Sequence, residues 1–389
     1  MAETRHYAHT IPFDQILNDL LAEVEAGSVA VVSDGDLRLF KYTDRCSFER
    51  RWTRTSLAAR GLILDVSANR IVGTSFEKFF NIFEGMRLGE AMEPLPDEPF
   101  EVFEKIDGSL GIVFFHDGEW RVATRGSFQS DQARWATDYL RRHIETQWLE
   151  VGCTYLTEIV FPENRIVISY DYQGLVLLGA YDATGEEFSR RRLEAVALVC
   201  GFTLPESHSY QSIDQLLEVA KTLPASAEGF VVRFASGRRI KIKGDEYCRI
   251  HRLVSRVTPL AVWEMLVEGD DLDAIATQLP EEFQGDLAQI NALLDAQLTA
   301  RLAAVRVAVD YVAEWSDKEV GLWQRRQHEF PEDVARWIFA ARKKDLLKEV
   351  GAPGSVLRRR FFETFRPTAN RLEGYVPSSA VNRFAAEQG

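Results

Sequence analysis

Apolar positions at Ile16, Leu17, Leu20, Leu21 and Val24 recur three and four residues apart soon after Pro12, so the chain is predicted to open with an amphipathic helix. From Val29 to Val113 the pattern changes to short apolar and aromatic runs broken by turn pairs such as Asp34-Gly35, which predicts strands. Asp117-Gly118 separates Ile112–His116 from Trp120–Thr124 as a hairpin turn does, and Ser236-Gly237 separates Gly229–Phe234 from Arg239–Lys243 in the same way. Helices are predicted over Asp131–Trp148 and Glu187–Val199, with strands at Thr154–Val160 and Leu175–Tyr181. After Lys243 strand signals stop. Tyr247–Val267, Leu287–Trp315, Pro331–Val350 and Ser355–Phe365 all favour helix, and the residues after about Gly374 read as a loose tail.

With 389 residues the chain is expected to form two domains, an α+β part over 1–250 and an all-α part over 251–389, the boundary falling within residues 244–256. Charged residues make up 27% and no apolar run reaches the roughly 18–20 residues of a membrane span, so a cytoplasmic protein without membrane contact is expected. The four cysteines lie far apart, without the paired spacing of a zinc or redox site, and are expected to be reduced. A net charge of −13 argues against nucleic-acid binding over the whole surface. Positive charge is nevertheless concentrated between Trp323 and Arg371, where twelve Lys or Arg face six Asp or Glu.

The chemistry centres on Glu104-Lys105-Ile106-Asp107-Gly108-Ser109 at the end of a predicted strand. Alternation puts Lys105 and Asp107 on one face, and Gly108 permits a turn or a close approach. A lysine amine attacks phosphorus only when unprotonated, so such a residue needs burial or nearby cations to lower its pKa. Taken alone, these six residues favour a surface lysine beside a Gly-Ser turn. Lys241 and Lys243, two apart on a strand, share one face and can meet a polyphosphate together.

The ordered set Arg60-Gly61-Leu62-Ile63, Phe76-Glu77-Lys78-Phe79-Phe80-Asn81, Lys105–Ser109, Tyr155-Leu156-Thr157-Glu158, Ala227-Glu228-Gly229-Phe230 and Ile240-Lys241-Ile242-Lys243 resembles the covalent nucleotidyltransferases, the ATP-dependent ligases and RNA-capping enzymes. The pairing of Arg60-Gly61 with Lys78–Asn81 looks specifically like the RNA ligase 1 family, typified by the phage enzyme that reseals broken tRNA. The resemblance covers about residues 30–250. It implies a nucleotidyltransferase (ATP-grasp-like ligase) core of antiparallel sheets with flanking helices, in which Lys105 takes AMP from ATP, passes it to an RNA 5′-phosphate, and a 3′-hydroxyl then displaces it.

By the same resemblance Lys105, Glu228, Lys241 and Lys243 are catalytic, and Tyr42, Arg60, Lys78, Phe80, Asp107, Gly108, Arg125, Glu158, Lys241, Lys243 and Tyr247 bind the nucleotide. Glu158 and Glu228 would meet Mg²⁺ or Mn²⁺, hard cations that take oxygen ligands. Phe80 is a candidate to stack on adenine, with core packing as its competing reading. Asp270-Asp271 resembles an acidic metal-binding pair but reads equally as a helix cap and is left out of the site. The expected substrate is RNA with 3′-hydroxyl and 5′-phosphate ends, a nicked tRNA among them, with an end-healing kinase and phosphatase as expected partners of a monomeric enzyme. The helical region would select the RNA, with Arg342-Lys343-Lys344 and Arg358-Arg359-Arg360 as its phosphate contacts. A DNA ligase, a capping guanylyltransferase and a non-catalytic RNA-binding relative are the alternatives; the first two usually follow the core with a small β-barrel, where this chain reads helical.

Overall fold

The computed structural model describes residues 4–82, 87–88, 91–92, 94–279, 281–325, 329–343, 346–368 and 370–377. Lys344 and the last twelve residues of the expected tail lie outside them. The chain divides into two compact units, Met1–Arg249 and Ile250–Gly389.

The strands of the first unit are, in chain order, β1 Val29–Asp34, β2 Leu37–Tyr42, β3 Arg60–Asp65, β4 Arg70–Gly73, β5 Phe80–Asn81, β6 Arg87–Leu88, β7 Ala91–Met92, β8 Phe100–Glu104, β9 Ser109–His116, β10 Glu119–Thr124, β11 Thr154–Val160, β12 Gly174–Tyr181, β13 Ser207–His208, β14 Gly229–Phe234 and β15 Arg239–Lys243. They form a sheet in the order β1-β2-β3-β4, a second in the order β10-β9-β11-β12, a third in the order β13-β8-β14-β15-β5 and the small pair β6-β7. All described pairings are antiparallel except β15 with β5.

The period of two along β2 and β3 decides how the layers stack. Leu37, Leu39 and Ile63 face the second sheet and pack with Ile112, Phe114 and Leu156. Phe40, Leu62 and Leu64 face the opposite way, against Ile16 and Leu20 of the helix Phe13–Glu25. Both helix residues are fully buried, worth about 1.5–3 kcal/mol each in apolar transfer. Helices Asp131–His143 and Arg190–Cys200 cover the other face of the second sheet, and Ile213–Lys221 covers the third.

Several predicted boundaries move for identifiable reasons. The expected helix at Glu187 starts at Arg190 instead, because Ser189 caps it and Glu187 is buried between Arg233 and Arg239. The span Asp131–Trp148 is helical only to His143 and resumes as a 3₁₀ turn at Thr146–Trp148. Two short helices, Asp44–Glu49 and Arg54–Ala58, interrupt the strand-rich region, each capped by a threonine, Thr43 and Thr53.

From Asp245 onward every named element is a helix or a 3₁₀ turn. The expected Tyr247–Val267 helix is two, Asp245–Ser255 and Pro259–Glu268, because Pro259 cannot donate into a continuous helix and Thr258 caps a new start. In the second unit Glu281–Tyr311 is the central helix, with Phe283, Leu287, Ile290 and Leu294 buried along one face, and it packs on Pro259–Glu268, Glu332–Ala335 and Ile338–Lys343. Pro331–Val350, expected as one helix, is interrupted by a turn at Arg336 and Trp337 between Glu332–Ala335 and Ile338–Lys343, and is helical again over Leu346–Gly351.

The expected basic RNA-contact clusters are in part structural. Arg358 donates to the carbonyls of Leu266, Val267 and Val350, and Arg342 donates to those of Val312 and Trp315, so these guanidiniums close helix ends. Arg359 pairs with Glu268, while Arg360 is exposed. Trp337, Phe361, Phe362 and Phe365 are core residues. Asp271 accepts from the backbone N–H groups of Asp273 and Ala274, the helix cap that was one of its two readings. No described helix is long and apolar enough to cross a membrane.

Candidate active site

Strand pairing brings the site together. β8 ends at Glu104, and the Lys105 N–H continues its ladder for one step by donating to Gly229 O at 2.9 Å. Across β14 and β15, Gly229 stands opposite Lys243. Glu228, the residue before β14, is therefore carried between the two lysines. Its Oε2 lies 2.6 Å from Lys105 Nζ and its Oε1 2.9 Å from Lys243 Nζ. Gly229 makes this approach possible: at φ +137° its backbone favours glycine, and a Cβ there would stand 2.1 Å from Ile242 O.

The electrostatics correct one expectation. Lys105 was expected to have a depressed pKa, but although burial lowers it, the carboxylates of Glu228, Glu158 and Asp107 outweigh burial and hold it above the ordinary lysine value. Glu228 responds in the opposite sense: burial raises its pKa, yet Lys105 and Lys243 hold the carboxyl below the usual range. In this arrangement Lys105 is an anchored ammonium. The depressed lysine is Lys241, pushed down to about 7 by burial and by Lys78, Lys105, Lys243 and Arg60.

Asp107 and Tyr247 bind one another rather than stand open. Asp107 Oδ2 accepts from the N–H groups of Val167 and Ile168, both at 2.9 Å, and Oδ1 accepts from the Tyr247 hydroxyl at 2.8 Å. The Asp107 N–H donates to the Tyr170 hydroxyl, and Lys243 Nζ lies 4.9 Å from the centre of the Tyr247 ring. These contacts fix the loop that carries Lys105. Residues 105–107 lie outside regular strand, so the expected shared face does not arise from alternation. Gly108 has a packing reason of its own, since a Cβ would stand 2.6 Å from Ile159 O and 3.0 Å from Glu158 Cγ.

Facing these carboxylates is an aromatic and cationic wall. Lys78 Nζ lies 5.3, 5.8 and 5.2 Å from the ring centres of Tyr42, Trp52 and Phe80. Arg125 donates to the Tyr42 hydroxyl at 2.9 Å, and together with Lys78 and Arg60 it holds that phenol below its ordinary pKa against the upward pull of burial. Arg60 Nη1 is buried without a hydrogen-bond partner, and burial lowers the guanidinium's pKa. Phe80 is half-buried and packs edge-on against Trp52 at 5.4 Å. Trp52 had no motif to announce it; its signal is only an apolar residue two before Arg54 in a polar stretch.

Glu158 is pushed up to about 7 by burial, with Glu228 and Asp107 adding to the shift and Lys105 and Arg60 opposing it. Among the described residues no group of three His, Cys, Asp or Glu is placed to hold a metal ion. Both Glu228 oxygens are engaged by ammonium groups, whereas the Glu158 carboxylate makes no hydrogen bond or ion pair among the described residues.

The RNA ligase family model matches residues 58–247. The chain is 26% identical over 351 residues to RNA ligase 1 of bacteriophage TS2126, covering 85% of this chain and 75% of that one. It is 22% identical over 324 residues to the RNA ligase of Rhodothermus phage RM378, covering 66% and 73%. A candidate bifunctional polynucleotide kinase/RNA ligase of Autographa californica nuclear polyhedrosis virus is 30% identical over 270 residues; the match covers 63% of this chain and only 38% of that one. Among solved structures an archaeal ATP-dependent RNA ligase superposes with a TM-score of 0.46 at 15% identity, over 74% of this chain and 83% of that one. The match over residues 58–247, which contain every site residue from Arg60 to Tyr247, makes that stretch similar to the RNA ligase family.

Proposed function

We propose that the protein is an ATP-dependent RNA ligase that joins 3′-hydroxyl and 5′-phosphate ends through AMP carried on Lys105. One observation supports this most strongly. A half-buried lysine anchored on Glu228 sits among Arg60, Lys78 and Lys241, cations that make no close ion pair among the described residues. Uncompensated buried positive charge is costly, and a polyphosphate removes that cost.

In the first step the Lys105 ammonium gives up its proton, and its Nζ forms a bond to the α-phosphorus of ATP while the bond to pyrophosphate breaks. Lys241, Lys243, Lys78 and Arg60 are placed to receive charge on the phosphate oxygens, and Arg60 can do so through two N–H groups. Tyr42, Phe80 and Arg125 supply the wall for the nucleoside. The RNA 5′-phosphate then takes AMP from Lys105, and a 3′-hydroxyl displaces AMP to form the phosphodiester. A divalent ion fits beside Glu158, where nucleotide oxygens would complete its ligand set; when bound, it would neutralise phosphate charge. Glu228 would serve first as the anchor of Lys105.

The viral relative whose name pairs a polynucleotide kinase with an RNA ligase supports a division of labour in which kinase chemistry prepares the ends; a phosphatase and a nicked tRNA substrate extend this proposal. Incubation of the full chain with α-labelled ATP and Mg²⁺, followed by denaturing electrophoresis, tests the reading. Label on the wild type and none on Lys105→Ala is expected. Equal labelling by GTP would favour capping chemistry, and no labelling of the wild type would favour a non-catalytic RNA-binding relative.

A further inference from the structure

The face of β15 that carries Lys243 and Lys241 continues to Arg239, where a second opening begins. A cleft of about 430 Å³ lies between the Ser236–Ile240 end of that hairpin, the Phe76–Ile82 segment and the N-terminal residues around His6. Its volume is in the range of small-molecule sites. Five Lys or Arg side chains line it against two carboxylates, Glu77 and Glu187. Both carboxylates are already engaged, Glu77 by the Tyr7 N–H and Glu187 by Arg233 and Arg239.

Two groups in the wall have unused binding capacity. His6 is 2% exposed, and its Nδ1 accepts from the Ala8 N–H at 3.2 Å, which places the ring hydrogen on Nε2. That Nε2 is buried without a hydrogen-bond partner. Burial drives the His6 pKa down to about 3, so the ring is a neutral donor. Arg54, exposed at the start of its short helix, makes no close ion pair among the described residues, although its charge acts on Glu77 across the cleft. Phe76, Phe79, Phe80 and Tyr181 add an aromatic lining.

We propose that this cleft seats the terminal nucleotide of the phosphate-bearing RNA strand, with a backbone phosphate on Arg54 and a ribose hydroxyl accepting from His6 Nε2–H. The inference rests on the ligase reading and adds to it a place for the strand beside the nucleotide site. A departing pyrophosphate would use the positive charge but neither the aromatic wall nor a neutral buried donor. A ribose hydroxyl matches a neutral donor, and the 2′-hydroxyl is the group that separates RNA from DNA.

The test uses the full chain with Arg54→Ala and His6→Asn; Asn can keep the acceptor for the Ala8 N–H while removing the imidazole Nε2–H. Self-adenylation should stay within about twofold of wild type for both, because the cleft shares Lys78 and Phe80 with the nucleotide site but neither Arg54 nor His6 is among the groups assigned to ATP. Arg54→Ala should raise the KM for a 5′-phosphorylated RNA decamer about tenfold in adenylate transfer, a typical loss for one charged contact. His6→Asn should erase the preference for a 5′-terminal ribonucleotide over its deoxy counterpart. Unchanged decamer KM and unchanged sugar preference would overturn the proposal, as would a weakening confined to pyrophosphate in the reverse reaction. Binding of the same decamer followed by fluorescence anisotropy separates the two ideas. A wild type that takes no AMP yet binds the decamer through Arg54 would sink the ligase reading and leave the cleft assignment standing.

Discussion

Glu228 holds Lys105 and Lys243 at once, one ammonium on each carboxylate oxygen, at 2.6 and 2.9 Å. The contact fixes the position of the Lys105 amine and also stabilises its protonated, unreactive form. Adenylation therefore requires the proton to leave Lys105 against the pull of Glu228, and arriving phosphates must reorganise this pair.

Glu228→Gln is expected to act in two measurable ways. Loss of the charged anchor should slow single-turnover adenylation about a hundredfold, roughly 3 kcal/mol of transition-state stabilisation. Because Glu228 raises the Lys105 pKa, its removal should also shift the rising limb of the pH–rate profile to lower pH. A slow variant whose limb stays in place would show that Glu228 does not govern the protonation of Lys105.

Metal-free sulfate should bind the nucleotide site more weakly as pH rises through 7. Lys241, held down to about 7, loses its positive charge on that side, and Glu158, pushed up to about 7, gains a negative one. Both changes oppose an anion. Calorimetric titration with sulfate, whose own charge is constant over this range, should show the slope reduced in Lys241→Met and nearly absent when Glu158→Gln is added. Equal slopes in all three proteins would contradict the assignment.

Trp52 should matter for ATP although no motif contains it. Its ring packs edge-on against Tyr42 at 5.1 Å and Phe80 at 5.4 Å, and Lys78 Nζ lies 5.8 Å from its centre. Trp52→Leu should raise the KM for ATP in adenylation about tenfold, as Tyr42, Phe80 and Lys78 lose their common support, while Trp52→Phe should recover most of the loss. An unchanged KM in the leucine variant, with folding intact by circular dichroism, would reduce Trp52 to simple packing.

The elements that position Lys105 were readable because strand periodicity and turn pairs are local. Ser236-Gly237 fixes the β14–β15 hairpin, and that hairpin fixes Lys241 and Lys243 beside Glu228. Trp52, Arg54 and His6 were not readable, because their placement depends on chain segments that meet only after folding. The Lys105 pKa was misjudged for a related reason: spacing shows which lysines share a strand but not which one a carboxylate touches. The broken helices of the second unit fall between these cases. Pro259 announces its own boundary, whereas the turn at Arg336 and Trp337 ahead of Ile338–Lys343 follows no comparable local sign.

Arg358 and Arg360 should have opposite roles despite lying in one basic run. A run of arginines reads as a solvated phosphate-binding face. Yet the Arg358 guanidinium donates to Leu266 O and Val267 O at the end of the helix Pro259–Glu268 and to Val350 O at 2.6 Å, and burial lowers its pKa. Leu266 O also accepts from the Gly269 N–H at 3.2 Å, and the guanidinium adds its donors to this helix terminus. Arg358→Ala should therefore cost about 2–4 kcal/mol of stability in the second unit, seen as a lowered first melting transition, and should leave the salt dependence of RNA binding in the folded protein unchanged. Arg360 is exposed and, among the described residues, closes no helix end. Arg360→Ala should leave melting unchanged and reduce the slope of log affinity against log salt by about one, the signature of one lost phosphate contact. If instead Arg358→Ala flattens the salt slope without destabilising the protein, the capping role is wrong and the whole run acts as an RNA surface.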